Sequence, residues 1–469
     1  MAMQLKNSMF IHIPKTGGTW VRKALEASMY LEKDANEIPI DGIDYWGKLA
    51  HSTASQVRLQ HGSLPEEKLM FSFVRDPADL LKSLYIEKFW PELITYDERS
   101  LILKGSTASA QINKYAQRKS PTKKKTFREF VFSLDEGYVT TLYKDFLQAP
   151  VGVFPYVDYI GRTENLKEDL IDFLEIAEEP FERSAIENMP PARIGASSDA
   201  AKEIIGYDEE VEQYIKQSEE YVYKTFYSSE PYLNIQKHSY DKLASLWSIK
   251  HKNFVVGPFH RQNQWEDYEL LFHAMFDFHG NTTHLPLASD ALVLDFGCGP
   301  GRNLDKYASN FKRIDGVDIS YINLNNAKVW LKHAGTYKEN IFYKTNGRDL
   351  SEVESDKYDA VMSTITLQHI AVHRIRFGLF REFRRVLKSG GWFTAQMGFG
   401  KGKLGAVPYN RDNINAGRRN GRTDVYVESP DQLYRDLKLS GFTDFEYWIT
   451  EPGPGDEHPN WIFFRARKI

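Results

Sequence analysis

Two acidic residues and three glycines in the middle of the chain have the spacing of a small-molecule site. Asp295 ends an apolar run and is followed by glycines at 297, 299 and 301, and Asp318 stands at the end of the next predicted strand. Glycine allows the backbone to turn sharply and to approach a ligand closely. The spacing is not the G-x-G-x-x-G of a dinucleotide site. We expect a strand, a tight loop and a helix near Asn303, with Asp318 placed to accept hydrogen bonds from ribose hydroxyls.

A second group of polar residues, Pro14-Lys-Thr-Gly-Gly-Thr-Trp20, lies between a short apolar run, Met9–Ile13, and a helical pattern, Val21–Met29. Backbone N–H groups of Thr16–Thr19 and the start of a helix favour negative charge. Lys15 adds a mobile positive charge, and two hydroxyl groups add donors. The Walker A pattern, G-x-x-x-x-G-K-[ST], is absent. The stretch therefore predicts a site for a phosphate-like anion.

A guanidinium and a hydroxyl further along the chain predict a second phosphate contact. Leu69–Val74 has the pattern of a buried strand, and Arg75 follows it directly, before a helix that begins near Pro77. Ser83 lies two helical turns later. Because arginine forms paired hydrogen bonds with phosphate oxygens, we expect Arg75 and Ser83 to face one phosphate monoester.

The order strand, P-K-T-G-G-T, helix, then strand and V-R-D-P-x5-S-x-Y resembles the sulfotransferases that use 3′-phosphoadenosine 5′-phosphosulfate (PAPS). The resemblance implies that the first stretch binds the 5′-phosphosulfate, that Arg75 and Ser83 bind the 3′-phosphate, and that adenosine 3′,5′-bisphosphate is a product. It also implies a catalytic role for Lys15. The residues implied for the first stretch are Lys15, Thr16, Gly17, Gly18, Thr19 and Trp20.

The stretch His51-Ser-Thr-Ala-Ser-Gln56 resembles the branch of that family that includes carbohydrate 6-O-sulfotransferases. In that branch a histidine at this position is the base. We therefore expect His51 to be the general base for the acceptor hydroxyl, with His61 as the alternative, because histidine accepts protons near neutral pH. A surface histidine without a catalytic role is the competing interpretation.

The glycine loop and its two acids resemble motif I and the second-strand acid of class I S-adenosylmethionine (SAM) methyltransferases. The resemblance implies SAM as a cofactor, S-adenosylhomocysteine as a product, and a further acid near the adenine. The residues implied to bind the cofactor are Asp295, Gly297, Gly299, Gly301, Asp318 and Asp349.

A histidine follows the predicted fourth strand of the same region, Tyr358–Ile365. His369, in Thr366-Leu-Gln-His-Ile370, lies at the C-terminal edge of that strand. Ligands of doubly wound sheets bind at this edge. His369 is therefore a candidate base for the methyl acceptor, and a role within a hydrogen-bonded turn is the equal alternative.

These patterns predict an α/β protein of two domains. We expect a P-loop-like sulfotransferase domain over residues 1–232, with a charged helix at Asp208–Phe226, and a Rossmann-like methyltransferase domain over residues 233–469. The second domain is expected to have a helical cap at about 239–285 and a core at 290–469. The length of 469 residues is sufficient for two domains with full-sized cores.

Composition limits the partners of the chain. The net charge of −4 disfavours general nucleic-acid binding, and no apolar run is long enough to span a membrane. We expect no signal peptide at Met1–Phe10, and the single cysteine, Cys298, excludes a disulfide and fits a reducing cytoplasm. The basic segment 114–128 is either solvated, a patch for an anionic glycan or a lid over the cofactor, and the basic segment Gly398–Arg422 is either solvated or contacts an anionic acceptor. The oligomeric state stays open.

The sequence thus predicts a bifunctional transferase. It would sulfate a hydroxyl from PAPS and methylate the same or a related acceptor from SAM, the acceptor being a glycan or another small molecule. A methyl group placed on or near the new sulfate is a further hypothesis, since the second half of the chain is net positive. Two alternatives stay open: two unrelated substrates, or one domain that has decayed into a binding module.

Overall fold

The computed structural model describes residues 2–29, 68–89, 126–148, 154–190, 207–245, 289–417, 424–450 and 458–469. The chain divides into two compact units, Met1–Ile235 with Asn415–Arg419, and Gln236–Ile414 with Asn420–Ile469. His51, His61, most of the basic segment 114–128 and residues 246–285 of the expected cap lie outside the described residues. The predicted domain boundary at 232/233 stays a prediction.

The first unit is built on a four-stranded sheet in the order β1-β2-β3-β4. β1 is antiparallel to β2, and β2, β3 and β4 are parallel to one another. All six residues of β3 are buried, as expected for a parallel strand covered on both faces. The strands are β1 (Ala2–Gln4), β2 (Ser8–Ile11), β3 (Leu69–Val74) and β4 (Tyr159–Arg162).

The described helices of this unit follow the predicted order. They are α1 (Gly18–Ser28), α2 (Pro77–Phe89), α3 (Phe127–Val131), α4 (Tyr138–Leu147), α5 (Leu166–Ile176), α6 (Arg183–Glu187), α7 (Glu209–Ser218) and α8 (Glu220–Phe226). The next helix, α9 (Pro231–Ser245), contains the division between the two units. α1 begins earlier than the predicted Val21, because Gly17 adopts a left-handed conformation (φ 81°) and starts the helix there.

The single helix predicted over Asp208–Phe226 is wrong, since α7 and α8 are separate. Glu219 lies between them with a non-helical backbone (φ −106°) and a buried side chain. Its carboxylate accepts hydrogen bonds from the N–H groups of Val139 and Thr140, both at 2.8 Å, and therefore caps the start of α4. A buried acceptor at this position satisfies backbone donors that a helix start leaves unpaired.

A short segment from late in the chain also belongs to the first unit. The Asn415 carbonyl accepts a hydrogen bond from the Ile160 N–H at 2.9 Å, and the Gly417 N–H donates to the Asp158 carbonyl at 2.8 Å. The segment therefore lies along the edge of β4. Part of the basic insertion Gly398–Arg422 is thus ordered by backbone pairing, whereas residues 418–423 lie outside the described ranges.

The second unit is built on a mixed sheet. Along it the order is β7-β6-β5-β8-β9, followed by β13 and then β12, and β13 is antiparallel to both of its neighbours. The strands are β5 (Leu292–Phe296), β6 (Arg313–Asp318), β7 (Phe342–Lys344), β8 (Tyr358–Ser363), β9 (Leu387–Phe399), β10 (Val407–Pro408), β11 (Val425–Val427), β12 (Phe442–Thr450) and β13 (Asn460–Lys468). β10 and β11 pair in parallel beside the end of β9.

β6, the next strand along the chain, pairs in parallel with one edge of β5. β8, which comes later, pairs in parallel with the opposite edge of β5. Such a switch point opens a crevice at the carboxyl ends of the strands, where ligands of these sheets bind. The described helices of this unit are the second part of α9, α10 (Arg302–Lys306), α11 (Tyr321–Ala334), α12 (His373–Val386) and α13 (Pro430–Leu439). The Rossmann-like fold predicted for this region is confirmed.

Two features of the sheet in the second unit differ from what the sequence indicates. Ser389-Gly-Gly391, a sequence typical of a turn, lies inside β9, where Gly390 has φ 81° and the register with β8 is irregular. β13 was not predicted. No helix among the described residues is long and apolar enough to cross a membrane.

Candidate functional site

The glycine loop after β5 is held against the end of β6. The N–H groups of Gly297 and Cys298 both donate to the Val317 carbonyl, at 2.8 and 3.0 Å. Gly297, Gly299 and Gly301 all have positive φ, at 78°, 52° and 93°. Residues other than glycine adopt this conformation at a cost of about 1–2 kcal/mol. The predicted tight turn between strand and helix is therefore present.

Two of these glycines face different surroundings. A Cβ atom on Gly297 would lie 2.2 Å from Oγ1 of Thr366, so packing requires a glycine there. A Cβ atom on Gly299 would meet nothing within 4 Å. The backbone at Gly299 therefore borders open space, as a close approach to a ligand requires.

Asp318 is tied to this turn. Its Oδ2 accepts a hydrogen bond from the Gly299 N–H at 3.0 Å, and its Oδ1 accepts from the Ser320 N–H at 2.8 Å and from Asn323 at 3.3 Å. Burial raises the pKa of Asp318 to about 6, against the effect of these donors. A carboxylate has about four lone-pair positions, so Asp318 keeps acceptor capacity beside Gly299.

Asp295 is the penultimate residue of β5, two positions before Gly297, and is 1% exposed. Its Oδ2 accepts a hydrogen bond from Asn303 at 3.3 Å, and Asn303 also donates to Thr364 at 2.9 Å. Its Oδ1 is buried and has no hydrogen-bond partner. Burial raises the pKa of Asp295 to about 7. An unpartnered buried carboxylate oxygen requires an explanation, and a bound donor group supplies one.

Comparison with known proteins identifies this region. The profile of the family described as "Methyltransferase domain" matches residues 293–391, from the second residue of β5 to the first part of β9. The C-terminal half contains a class I SAM-dependent methyltransferase domain. The match covers β5, both acidic residues and the turn that carries His369, but none of the first unit.

The chain is also similar to individual methyltransferases. It is 24% identical over 215 residues to a probable SAM-dependent methyltransferase, CRG1, of Saccharomyces cerevisiae, covering 44% of this chain and 69% of the yeast protein. It is 24% identical over 132 residues to the ubiquinone biosynthesis O-methyltransferase of Bartonella tribocorum, covering 28% of this chain and 51% of that enzyme.

A solved structure with a similar fold is phosphoethanolamine N-methyltransferase 2 of Haemonchus contortus, in complex with phosphomonomethylethanolamine and S-adenosylhomocysteine. It is 19% identical, with a TM-score of 0.36, covering 51% of this chain and 60% of that one.

The polar groups of the methyltransferase domain fit SAM chemically. The cofactor presents ammonium and ribose hydroxyl donors, and Oδ1 of Asp295 and the carboxylate of Asp318 are acceptors with remaining capacity. Both fall on predicted positions. Within the described ranges no group of three or more His, Cys, Asp or Glu side chains is arranged to hold a metal ion.

Asp349 is occupied by its own loop. Its Oδ2 accepts a hydrogen bond from Asn346 at 2.8 Å and its Oδ1 from the Ser351 N–H at 3.1 Å. The Asn346 hydrogen bond is the main cause that lowers the pKa of Asp349. The predicted adenine contact of Asp349 stays a prediction, and the structure gives its carboxylate a role in shaping the loop after β7.

His369 closes a short 3-10 turn, Leu367–His369, after β8. Its Nδ1 lies 2.8 Å from Oδ1 of Asp424, a residue that directly precedes β11 and whose side chain is 5% exposed. The imidazole itself is 21% exposed. A histidine oriented by a buried carboxylate is an arrangement found in general bases. The sequence prediction identified His369 but not Asp424.

In the first unit the two predicted anion-binding stretches lie together. Nη1 of Arg75 donates to the Lys15 carbonyl at 3.2 Å, and Lys15 has a left-handed backbone (φ 68°). Nζ of Lys15 pairs with Glu87 at 3.0 Å. Glu87 lies one turn after Ser83 on α2, so both residues share the helix face that Lys15 approaches.

The loop before α1 has backbone N–H groups that are available to an anion. In the part of the chain that the structure describes, the N–H groups of Gly18 and Thr19 have no acceptor. The glycines are required by packing, since a Cβ atom would lie 2.3 Å from Leu166 at Gly17 and 2.0 Å from His12 at Gly18.

The Thr16 hydroxyl, in contrast, is not available to an anion, because it is buried and donates to the Ile13 carbonyl at 2.9 Å. The sequence predicts two hydroxyl donors toward an anion in this stretch, but the Thr16 hydroxyl donates its proton to the backbone instead. Trp20 is buried as well, and its Nε1 donates to the Pro190 carbonyl at 3.0 Å. The side chains of Thr16 and Trp20 therefore shape the loop.

Tyr143 of α4 holds the backbone of Arg75. The Tyr143 hydroxyl accepts a hydrogen bond from the Arg75 N–H at 2.8 Å and donates to the Arg75 carbonyl at 2.6 Å. Burial raises the pKa of Tyr143 well above its ordinary value, so the hydroxyl keeps the proton that it donates. Neither Tyr143 nor Glu87 was predicted, because each lies far in sequence from the group it contacts.

Proposed function

We propose that the second unit transfers a methyl group from SAM to a small-molecule acceptor. The observation that carries the proposal is the open backbone at Gly299 beside the Asp318 carboxylate, at the switch point of the sheet. The match of residues 293–391 to the methyltransferase domain family supports it independently.

SAM supplies a methyl group on a sulfonium whose leaving group is a neutral sulfide. The chain then has to bind the cofactor, align the acceptor and exclude water. Asp318 and Asp295 accept hydrogen bonds from donor groups of the cofactor. His369 removes the proton of a poor nucleophile such as a hydroxyl, and its distance of 2.8 Å to Asp424 fixes the ring for this step.

Calorimetry with SAM and S-adenosylhomocysteine tests the binding half of this proposal. Transfer of tritium from methyl-labelled SAM to a panel of phenols, sugars and sulfated sugars tests the reaction. We expect Asp318→Ala to weaken binding of both cofactor forms by about tenfold or more, since it removes hydrogen bonds to a charged group. Absence of binding to the wild-type chain would refute the proposal.

We further propose that the first unit is a PAPS-dependent sulfotransferase. The supporting observation is that Arg75 contacts Lys15, at the end of β3 and before α1, where the Gly18 and Thr19 N–H groups have no described acceptor. Two cationic groups beside unpaired backbone donors form a site for a doubly anionic ligand. When the ligand binds, Nζ of Lys15 leaves the Glu87 carboxylate and pairs with an oxygen of the ligand.

In this reaction the acceptor oxygen forms a bond to sulfur while the bond between sulfur and the bridging oxygen of PAPS breaks. Charge grows on the departing phosphate, where Lys15 and the loop N–H groups stabilise it. The acceptor proton passes to a general base, for which His51 is the predicted residue. His51 lies outside the described residues, so this role rests on the resemblance.

The two proposals combine into a bifunctional transferase acting on one acceptor or one series of acceptors, a glycan or another small molecule. Independent substrates and a decayed domain are the alternatives. Calorimetry with adenosine 3′,5′-bisphosphate and S-adenosylhomocysteine separates them, because a decayed domain fails to bind its product. Equal rates of methyl transfer to sulfated and unsulfated forms of one sugar would contradict methylation on or near the sulfate. A cytoplasmic location stays a prediction.

A further inference from the structure

A buried carboxylate lies between two histidines of the methyltransferase domain. Oδ1 of Asp424 lies 2.8 Å from Nδ1 of His369, and Oδ2 lies 3.9 Å from Nε2 of His458. The side chains of Asp424 and His458 are 5% and 2% exposed, whereas that of His369 is 21% exposed. His369 is therefore the member of the group that a ligand can reach.

The position of the carboxylate decides which nitrogen of His369 carries the proton. An ionised carboxylate only accepts hydrogen bonds, so the nitrogen that faces it must donate. Nδ1 of His369 faces Asp424 and therefore bears the hydrogen. In the neutral ring the other nitrogen, Nε2, then carries the lone pair. Asp424 thus selects the tautomer that accepts a proton at Nε2.

His369 is joined to the cofactor loop by a short chain of contacts. The His369 N–H donates to the Thr366 carbonyl at 3.0 Å. Oγ1 of Thr366 lies 3.4 Å from the Gly297 carbonyl, and the Thr366 side chain fills the space beside Gly297. The turn that carries His369 is therefore packed against the same loop that borders the open space at Gly299.

The backbone of Asp424 is also held in place by a hydrogen bond. The Val407 N–H donates to the Asp424 carbonyl at 2.9 Å, which ties the start of β11 to β10. The carboxylate therefore approaches His369 from a paired strand rather than from a free loop. Orienting groups on regular elements hold a site more precisely than groups on loops.

We propose that Asp424 is a positioning residue that holds His369 in the Nδ1–H tautomer, with Nε2 directed to the proton of the methyl acceptor. The inference rests on the proposed methyltransferase function and extends it to the acceptor side of the site. It also defines the acceptor class, because a base is needed for a hydroxyl or another protonated nucleophile and is unnecessary for a tertiary amine or a thioether.

The first test needs no acceptor. The full chain is labelled with 15N at histidine, and the His369 ring is assigned by its loss in His369→Gln. Near neutral to mildly basic pH we expect a protonated-type Nδ1 signal and a lone-pair-type Nε2 signal in wild type. Asp424→Asn should leave His369 as a mixture of tautomers, because an amide both donates and accepts hydrogen bonds.

The chain supplies a matched control. His373 lies 2.7 Å from Asp436, with side-chain exposures of 25% and 6%, close to those of His369 and Asp424. Asp436→Asn removes the charge of a comparable His–Asp pair without touching the proposed base. We expect this variant to leave the His369 signals unchanged. A general loosening of the domain would instead alter them in both variants.

The second test uses methyl transfer to the panel of phenols and sugars. Asp424→Asn and His369→Gln should each lower kcat by about 100-fold, in the range of general-base effects, and the double variant should lose little more. Affinity for S-adenosylhomocysteine should stay within about twofold, since both variants leave the glycine loop, Asp295 and Asp318 unchanged.

Each outcome has a defined meaning. An Nε2–H tautomer in wild type, or an unchanged His369 ring in Asp424→Asn, overturns the role of Asp424. Additive losses in the double variant overturn it as well. Failure of wild type to bind S-adenosylhomocysteine would instead refute the proposed function, so the two failures are distinguishable. Loss of binding in Asp424→Asn alone would indicate a structural role only, and would also refute the inference.

Discussion

The Arg75 guanidinium donates a hydrogen bond from Nη1 to the backbone carbonyl of Lys15 over 3.2 Å. The two residues belong to different predicted motifs, and the contact brings the tip of β3 to the loop before α1. The Arg75 guanidinium is thereby held at the backbone of Lys15. Glu87, the partner of Lys15, lies on α2 instead.

Arg75 is predicted to be essential for binding adenosine 3′,5′-bisphosphate. Arg75→Ala should weaken binding by about tenfold to 100-fold, as expected for loss of hydrogen bonds to a charged group. Arg75→Lys should restore only part of the affinity, because lysine lacks the forked geometry. Calorimetry on the full chain measures this. Arg183→Ala, at an exposed pair of ion bridges on α6, is the control and should leave the affinity unchanged.

Tyr143→Phe tests whether the two hydrogen bonds between the Tyr143 hydroxyl and the Arg75 backbone contribute to stability and to bisphosphate binding. The change removes one hydroxyl and leaves the Arg75 N–H and carbonyl without their partner. Unsatisfied buried groups cost about 1–3 kcal/mol, so urea unfolding should show a loss of this size together with weaker bisphosphate binding. Tyr207→Phe serves as the control, since that ring packs against Lys82. Equal effects of Tyr143→Phe and Tyr207→Phe would contradict a specific role for the hydrogen bonds of Tyr143.

Two of the three glycines of the methyltransferase loop, Gly297 and Gly299, should respond differently to alanine. Gly297→Ala forces a methyl group into Thr366 in addition to the strained backbone, so we expect a loss of stability above about 2 kcal/mol. Gly299→Ala should cost only about 1–2 kcal/mol, the conformational term alone. It should nevertheless weaken S-adenosylhomocysteine binding by about tenfold, because the methyl group enters the open space. Urea unfolding and calorimetry separate these effects.

Asp295 should make the cofactor-free chain less stable as the pH rises. Burial raises its pKa to about 7 in the folded state, whereas an unfolded chain titrates near its ordinary value of 3.8. Between these two values the folded state binds more protons, so the free energy of unfolding falls with rising pH. Below about pH 4 both states are protonated, and above about pH 7 both are ionised, so the loss is then complete.

Asp295→Asn cannot titrate and therefore isolates this effect. The stability of the variant relative to wild type should increase by up to about 1.4 kcal/mol for each pH unit between about pH 4 and 7. Urea unfolding at several pH values, without SAM, measures the difference. A difference that is constant with pH would show that the native pKa of Asp295 is not raised.

The predicted features that the structure reproduces depend on neighbours in sequence. Asp295, Gly297 and Gly299 lie within five residues, and strand-loop-helix geometry follows from their spacing. β3 was predicted at its observed bounds, because a buried parallel strand is a continuous apolar run. The start of α1 was misplaced, since a left-handed Gly17 cannot be recognised from residue type alone.

The features that the sequence did not predict depend on contacts between residues that are far apart in sequence. Asp424 is 55 positions from His369, and the intervening basic insertion gives no signal of which acid returns to the histidine. Tyr143 is 68 positions from Arg75. β13 could have been found, because Trp461-Ile-Phe-Phe464 is an apolar run rich in β-forming residues. Sequence patterns reveal such elements but not their partners.

The single cysteine has a practical consequence. Cys298 lies within the glycine turn and is 5% exposed, and burial raises the pKa of its thiol well above the ordinary value. Thiolate is the reactive form, so maleimide reagents should leave the native chain unmodified. A cysteine engineered at an exposed position, such as Tyr321→Cys at the start of α11, would then carry a fluorophore at one defined place, without prior removal of the natural thiol.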